Sequence, residues 1–414
     1  MKWKSLWLSF SILTILIMLT LLPYNVPPTW AITNPIVTPI GGGSGYFIAQ
    51  SFGGLTNGLL YKINLQNRTA HSIATQIRGL AKGANDVIGS YPGTQSAQND
   101  ETVDIGLLSW SADGSHAVVC ASASASLSNG FYIMGLGIYL IDGKTYDAKP
   151  LREIYDYIVD TTCPTISPDA KTILILTGDS TNPFHDLLYM DTMGNIKGQL
   201  TRDTAGCPGW FPDSSRVIFT VLRTGNWQID TIKPDRSDVQ PLISVLPIPQ
   251  LKLQTPDAVT GTQISTTPSK VNVTGYEWSP DKQHIAFVVT SEFDRLDGSI
   301  ISVSAIEVSN ADGSHVTTLV EDAEQPYWID NDTLAFIHFP GDKHQLSSIH
   351  LDGSNEHLLV DAPIYRLSLS PDRTMIAYNV FSANTTQLYL LNLSTMKTQR
   401  LLPDQSFRNP QFQP

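Results

Sequence analysis

The apolar positions of this chain fall into short runs at a regular interval. "EWSPDKQHIAFVV", residues 277–289, sets the pattern: an aromatic residue, a Ser-Pro-Asp turn, a polar pair, then a continuous apolar stretch. It returns as "SWSADGSHAVV" at 109, "TISPDAKTILI" at 165, "GWFPDSSRVIF" at 209, "YWIDNDTLAFI" at 327 and "SLSPDRTMIAY" at 368. With Trp278 as landmark, the counterparts are Trp110, Ile166, Trp210, Trp328 and Leu369, spaced 56, 44, 68, 50 and 41 residues apart. A period of ~40–50 residues with insertions fits a four-stranded propeller blade. Each repeat divides into four strand-like pieces. The first ends at the landmark. Proline then sets φ, and Asp or Ser accepts backbone N–H bonds to turn the corner. The second piece ("HIAFVV", "KTILIL") is apolar without alternation, which requires burial on both faces. The third piece ("IYLIDG", "LLYMDT", "QLYLLNL") is several times followed by a Gly-bearing hairpin turn, as at Asp142-Gly143 and Asp352-Gly353. The fourth ("KGQLTR", "VTTLVE", "TQRLLP") is more polar, as an outer strand facing water should be. The landmark side chain is expected to fill the gap between adjacent blades.

The two ends of the chain supply one more unit. Residues 46–78 carry pieces two to four, and "RNPQFQP" at the C-terminus matches "EQPYWID" up to the landmark, with Phe412 in the aromatic place, 43 residues after Leu369. The C-terminal segment is therefore expected to insert as the innermost strand of the first blade and close the ring, which removes exposed sheet edges. "NPIVTP" at 34–39 is the competing strand. The expected fold is all-β: a propeller of four-stranded blades, seven rather than six or eight, over residues 46–414.

The repeat, Trp-Ser-Pro-Asp then Ile-Ala-Phe with a later Leu-Tyr-x-x-Asp-x-x-Gly, resembles the WD40-like repeats of TolB-type β-propellers. These also build the propellers of prolyl-oligopeptidase and dipeptidyl-peptidase relatives. The resemblance covers 46–414 and implies the fold. TolB itself has six blades behind an N-terminal α/β domain; about fourteen residues stand in that place here.

Residues 1–31 read as a signal peptide or signal anchor: Lys2 and Lys4, an apolar run from Leu6 to Leu22, and Ala31 at a cleavage-like site. Residues 32–45 read as a Gly-rich linker. The bulk of the chain is thus expected outside the cytoplasm, periplasmic or secreted, touching membrane only through an uncleaved N-terminal segment. Among 414 residues, 42% are hydrophobic and 15% charged, and the net charge of −12 gives no electrostatic reason to seek nucleic acid. Cys163 and Cys207 hold matching places on neighbouring repeats, where Cα separations pass the ~7 Å reach of a disulfide. They are expected to be small buried thiols, as is Cys120, with a bond between the first two as the alternative.

The inner strands of such a ring are expected to line its central channel. Alternation places positions −1 and −3 from each landmark on the channel side. The candidate channel-lining binding residues are Glu277, Tyr327, Gln325, Arg366, Ser109, Gln411 and Asn409. No histidine is among the positions so counted, and no cysteine or histidine spacing marks a zinc site. "GGGSGY" at 41–46 does not fit a nucleophile elbow, since Tyr46 stands where glycine is required. No cofactor or metal is expected. The connections 79–103 and 245–273 are long and are expected to share one face; an insertion at 121–137 is expected on the opposite face. The leading expectation is an exported, non-catalytic, monomeric propeller that binds a protein or peptide. The alternatives are a channel-site glycan lyase or hydrolase, and an anchored sensory or carbohydrate-binding module.

Overall fold

The structure is a computed structural model that describes residues 46–51, 60–80, 82–83, 86, 103–126, 132–156, 160–178, 185–223, 225–249, 267–295, 299–340, 343–382, 385–403 and 406–414. The signal-like segment, the linker, "NPIVTP" and most of the two long connections lie outside these residues. The chain divides into two compact units, Met1–Ile40 and Gly41–Pro414; the second is described here.

Its strands form seven four-stranded antiparallel blades in a ring. The first blade runs outward from β28 (Phe407–Gln411) through β1 (Tyr46–Ser51) and β2 (Leu60–Asn64) to β3 (Ala70–Ile73). In the second, the inner strand is broken into β4 (Val103–Ile105) and β5 (Ser109–Trp110), followed by β6 (His116–Ser126), β7 (Tyr132–Asp142) and β8 (Ala148–Asp156). The third uses β9 (Asp160–Ile166), β10 (Thr172–Gly178), β11 (His185–Asp191) and the first part of β12 (Ile196–Trp210). The rest of β12 is the inner strand of the fourth, with β13 (Val217–Arg223), β14 (Asn226–Ile232) and β15 (Gln240–Ile243). The fifth comprises β16 (Lys270–Trp278), β17 (His284–Asp294), β18 (Ile300–Asn310) and β19 (Thr317–Glu321). The sixth comprises β20 (Ala323–Trp328), β21 (Thr333–His338), β22 (Gln345–His350) and β23 (His357–Val360). The seventh comprises β24 (Ile364–Leu369), β25 (Met375–Ser382), β26 (Thr385–Asn392) and β27 (Lys397–Leu401).

Ring closure is as the repeat count requires: β28 pairs antiparallel with β1, Ile48 opposite Gln411 and Ser51 opposite Phe407. The landmarks sit between blades. Trp328 is wholly buried against Ala286, Val288, Ile306 and Val308 of the preceding blade. Trp210 packs with Leu174, Leu176 and Leu187, and Trp278 with Ile218, Ile229 and Ile243, again toward the preceding blade.

The Ser-x-Asp turn is one device used four times. Ser279 Oγ donates to Asp281 Oδ1 at 2.6 Å and accepts from the His284 amide at 2.9 Å. Ser111, Ser167 and Ser370 make the same pair of bonds with Asp113, Asp169 and Asp372. The left-handed residue of each turn falls at one position, Gly114, Ala170, Lys282 and Arg373, and Ser214 holds the same place after Phe211-Pro212-Asp213.

The third and fourth blades run into each other within one strand: β12 passes from the outer strand of one to the inner strand of the next, bending where its register with β13 shifts between Ala205 and Gly209. Gly206 makes the bend at φ 71°, and a Cβ there would stand 2.4 Å from the Val273 carbonyl oxygen. Two expectations are corrected. The insertion at 121–137 is largely strand. It lengthens the β6–β7 hairpin, and it rises on the same face as the outer-to-inner connections, because Met134 near its tip pairs with Asp156 at the end of β8. Two antiparallel reversals return the chain to the face it left, so both kinds of connection share that face. Finally, Cys207 is disulfide-bonded rather than a buried thiol. Inner strands converge toward the axis of a ring of radial sheets, so matched positions there come closer than the blade spacing implies. Cys120 is not in a disulfide, and the side chain of Cys163 lies outside the described residues.

Candidate functional site

Blades stand radially, so a side chain on an inner strand points toward one neighbouring blade or the other, and only its edge meets the channel. This geometry gives the −1 positions a shared task. Ser109 Oγ accepts from the Ile166 amide at 3.2 Å, and Ser368 Oγ from the Phe412 amide at 3.0 Å. Gln411 makes both bonds to Leu108, accepting from its amide at 2.8 Å and donating to its carbonyl at 3.0 Å. Each ties one inner strand to the next blade. The tryptophans run the opposite way: Trp278 Nε1 donates to the Trp210 carbonyl, and Trp328 Nε1 to the Glu277 carbonyl, each at 3.0 Å.

The −3 positions follow a different rule, because a bulge lies just before them. Gly275, Gln325 and Asn409 have φ of 67°, 54° and 51°, and the register of β16 and β20 with the next strand shifts at this point. A bulge interrupts the two-residue period. Gln325 turns to the next blade, accepting from the Leu367 amide at 3.2 Å and donating to the Tyr365 carbonyl at 2.9 Å. Asn409 donates to Gln50 Oε1 at 3.1 Å, beside the bond from Arg408 Nε to the same oxygen.

Glu277, Tyr327 and Arg366 stand apart from these interlocks. They lie on β16, β20 and β24, the inner strands of three consecutive blades, with part of each residue's surface open. They are close enough for charge on one to act on the next: burial raises the Tyr327 phenol, with Glu277 raising it further and Arg366 opposing. Burial also pushes the Glu277 carboxyl up to about 7, and the Arg373 guanidinium opposes this. Arg373 arrives from the turn between β24 and β25, where it hydrogen-bonds the Trp328 carbonyl. Among the described residues, neither the Glu277 carboxyl nor the Arg366 guanidinium is engaged in a hydrogen bond or ion pair. The Tyr327 phenol thus feels the charges of Glu277 and Arg366, and the Glu277 carboxyl that of Arg373. Of the other −1 positions, Ser109, Thr165, Gly209 and Ser368 are small, and Gln411 is engaged with Leu108.

Arg373 was not legible as part of this group. It occupies the left-handed turn slot that elsewhere holds Lys282, Ala170 or Ser214, so its repeat position marks a turn residue only. A second feature also lay outside the repeat count. Phe339, His344, Tyr365 and Phe381 form a chain of rings: centroids are 4.8 Å apart for Phe339 and His344, 5.5 Å for the near-parallel His344 and Tyr365, and 5.6 Å for Tyr365 and Phe381. Tyr365 is 37% exposed. The rings lie at the start of β24 and the ends of β21 and β25, on the face that also carries the outer-to-inner connections, and Gln325 joins Tyr365 to the inner strand of the sixth blade.

Among the described residues, no group of three His, Cys, Asp or Glu could hold a metal ion, and no helix is long and apolar enough to cross a membrane.

No protein-family profile and no curated protein matches this sequence. Solved structures do resemble it. TolB from Acinetobacter baumannii is 15% identical, over 89% of this chain and 82% of that one, with a TM-score of 0.42. The β-propeller domain of the trilobed protease from Pyrococcus furiosus is 11% identical, over 72% and 84%, with a TM-score of 0.44. Oligogalacturonate lyase from Vibrio parahaemolyticus is 11% identical, over 72% and 74%, with a TM-score of 0.41. The protein is a seven-bladed β-propeller. That statement rests on its own strand pairings, and similarity at this level transfers no chemistry to its channel.

Proposed function

We propose that this protein is an exported, non-catalytic propeller that binds a protein or peptide segment over the face bearing the outer-to-inner connections and at the channel mouth. The observation that supports it is the Phe339–His344–Tyr365–Phe381 ring chain on that face, with an exposed tyrosine at its centre and Gln325 linking it to the inner strands. Aromatic side chains with a polar tip are the usual anchors of peptide and protein contacts. Export is supported by the disulfide at Cys207, since such bonds persist in oxidising compartments. The sequence holds three cysteines and Cys120 is not in a disulfide, so the expected partner is Cys163. Peptide mapping without reductant is expected to recover residues 163 and 207 in one cross-linked fragment, and a free thiol at either would refute the pairing.

The binding test is selection of peptides from a displayed library on the immobilised protein, followed by calorimetry of the best binders. Tyr365→Ala is expected to weaken them about tenfold or more, in line with the ~2 kcal/mol typical of a central aromatic contact. Binders indifferent to Tyr365 would place the surface elsewhere.

One observation favours a second reading, the channel-site glycan enzyme. A carboxyl titrating at about 7 beside a phenol has the proton affinity that general acid–base catalysis uses at neutral pH. Turnover of any uronate-bearing or neutral glycan by the wild type, lost in Glu277→Gln, would establish that reading.

A further inference from the structure

Gln50 lies near the end of β1, on the face that carries the outer-to-inner connections, and is 1% exposed. It stands opposite Arg408 in the ladder between β1 and β28. Its amide oxygen is used twice, accepting from Arg408 Nε at 3.0 Å and from Asn409 Nδ2 at 3.1 Å. Arg408 Nη2 in turn reaches the Asp104 carboxylate on β4, the inner strand of the second blade. Arg408 thus spans from the first blade to the second at the end of the ring where the inner strands begin. Among the described residues, Gln50 Nε2 has no hydrogen-bond partner. The oxygen and nitrogen of a planar amide are about 2.3 Å apart, so this donor lies within about 5.5 Å of both Arg408 Nε and Asn409 Nδ2. Donors therefore outnumber acceptors here. Among the described residues, Arg408, Asn409 and Gln50 bring N–H groups, and the side-chain acceptors they meet are one Gln50 oxygen and Asp104. A buried amide N–H left without an acceptor is destabilising, and an incoming oxygen atom would relieve it. The Asp104 side chain is 70% exposed, and an ion pair so open to water contributes little, so it is readily replaced.

We propose that Arg408 and Gln50 form a carboxylate subsite at the channel mouth, closed by Asp104 when empty and opened when an acidic side chain or chain terminus of a bound peptide takes the place of Asp104. This rests on the peptide-binding reading above and names the chemistry of its channel end. A carboxylate is planar and accepts without donating, which suits a site rich in N–H groups, and an arginine grips it through paired N–H bonds. One guest oxygen replaces Asp104 on Arg408, and the other accepts from Gln50 Nε2. The place also fits the docking surface. Tyr365 and Arg408 each stand four residues before their landmarks, Leu369 and Phe412. They hold equivalent positions on neighbouring inner strands, which the bond from the Phe412 amide to Ser368 Oγ ties together. A segment anchored at Tyr365 meets Arg408 one blade further round the ring.

The probes are N-acetyl-glycyl-glycine as the free acid, the α-amide of N-acetyl-aspartate, and glucuronate, with the C-terminal amide of the first as the neutral control. Each is titrated into the whole protein at low salt and followed by ligand-detected NMR at millimolar concentration. At least one peptide acid is expected to bind and the neutral amide not, and which acid binds separates a chain terminus from a side chain. Gln50→Glu should abolish binding without lowering the melting temperature. A glutamate oxygen still accepts from Arg408 and Asn409, and only the unpartnered donor is exchanged for negative charge. Asp104→Ala should tighten binding by about two- to fivefold, the range an exposed ion pair spans, a gain that a misfolded variant would not show. Equal binding of acid and amide, binding retained in Gln50→Glu, or affinity not raised in Asp104→Ala would overturn the proposal. So would the failure of every acid to bind, which would mean that water alone serves Gln50 Nε2. Glucuronate binding without either peptide acid would overturn it in favour of a uronate-bearing glycan. Library peptides that lose affinity in Tyr365→Ala but not in Gln50→Glu would leave the docking reading standing and remove this one.

Discussion

Glu307 shows how much one side chain can decide. It lies mid-strand in β18, fully buried, where Thr318 Oγ1 donates to one carboxyl oxygen at 2.9 Å and the other oxygen has no partner. Burial pushes its carboxyl up to about 7, opposed by the Thr318 bond and assisted by Glu321. The folded protein therefore holds this proton more tightly than the unfolded chain. The associated stability is fully present below the ordinary glutamate range and is lost as pH rises through about 7. A shift of this size corresponds to about 3 kcal/mol. The turn aspartates act in the opposite sense. Backbone and side-chain bonds from Ser115 hold Asp113 down at about 2, and the Ser279 hydroxyl leads the lowering at Asp281. Their contribution is present above the ordinary aspartate range and is lost only in acid. Between about pH 5 and pH 8 the two raised glutamates, Glu307 and Glu277, govern together, so the wild type should unfold at lower urea concentration at pH 8 than at pH 5.5. Glu307→Gln, neutral at both, should narrow that difference and be the more stable of the two at pH 8. An unchanged pH profile in the variant would show that Glu307 is ionised in the fold.

At the scale of single elements, what was legible followed what repeats. The Ser-Pro-Asp turn was readable because its side chains bond locally, and four copies place the same serine, aspartate and left-handed residue at the same offsets. The apolar second strand was readable because burial on both faces leaves it no alternation. The bulges were not. A glutamine, an asparagine and a glycine take positive φ at equivalent places, Gln325, Asn409 and Gly275, and only the glycine is a residue that advertises it. For the candidate site this had a direct cost: counting by twos along an inner strand holds from −1 to the landmark and fails beyond the bulge. Gln325 and Asn409 therefore bind neighbouring strands and Gln50, whereas Glu277, Tyr327 and Arg366 make no such strand-to-strand side-chain bond among the described residues. The bend inside β12 was equally silent, being a turn made within a ladder. Its test is Gly206→Ala. The added methyl meets the Val273 backbone at 2.4 Å in a conformation that L-residues avoid, and a cost of about 2 kcal/mol or more is expected. A melting temperature within a degree of wild type would mean that the two blades slide apart without penalty.

For the molecule as a whole, the question is what a ring of similar sheets gains by closing with its own tail. An open array would leave β1 with an unpaired edge and the seventh blade without a neighbour. In the closed ring, β28 satisfies both. It completes the ladder to β1, buries Phe407 and, just beyond it, Phe412, and the Phe412 amide donates to the Ser368 hydroxyl oxygen. Gln411 carries the circuit forward to Leu108, and Gln413 donates to the Gly114 and Gly143 carbonyls at 2.7 and 2.9 Å. The tail thus touches blades one, two and seven, and its removal opens interfaces on both sides. Each buried phenylalanine alone is worth about 3–5 kcal/mol, and a domain of this kind commands about 5–15 kcal/mol in all. Deleting 407–414 should therefore abolish cooperative unfolding rather than merely lower its midpoint. Because such a deletion can also fail through aggregation, the informative arm is rescue. The synthetic octapeptide FRNPQFQP at millimolar concentration should restore a cooperative transition to freshly refolded truncated protein. The same peptide with both phenylalanines replaced by alanine should not. A truncated chain that melts like the full-length protein would mean that the ring is latched somewhere other than at β1 and β28.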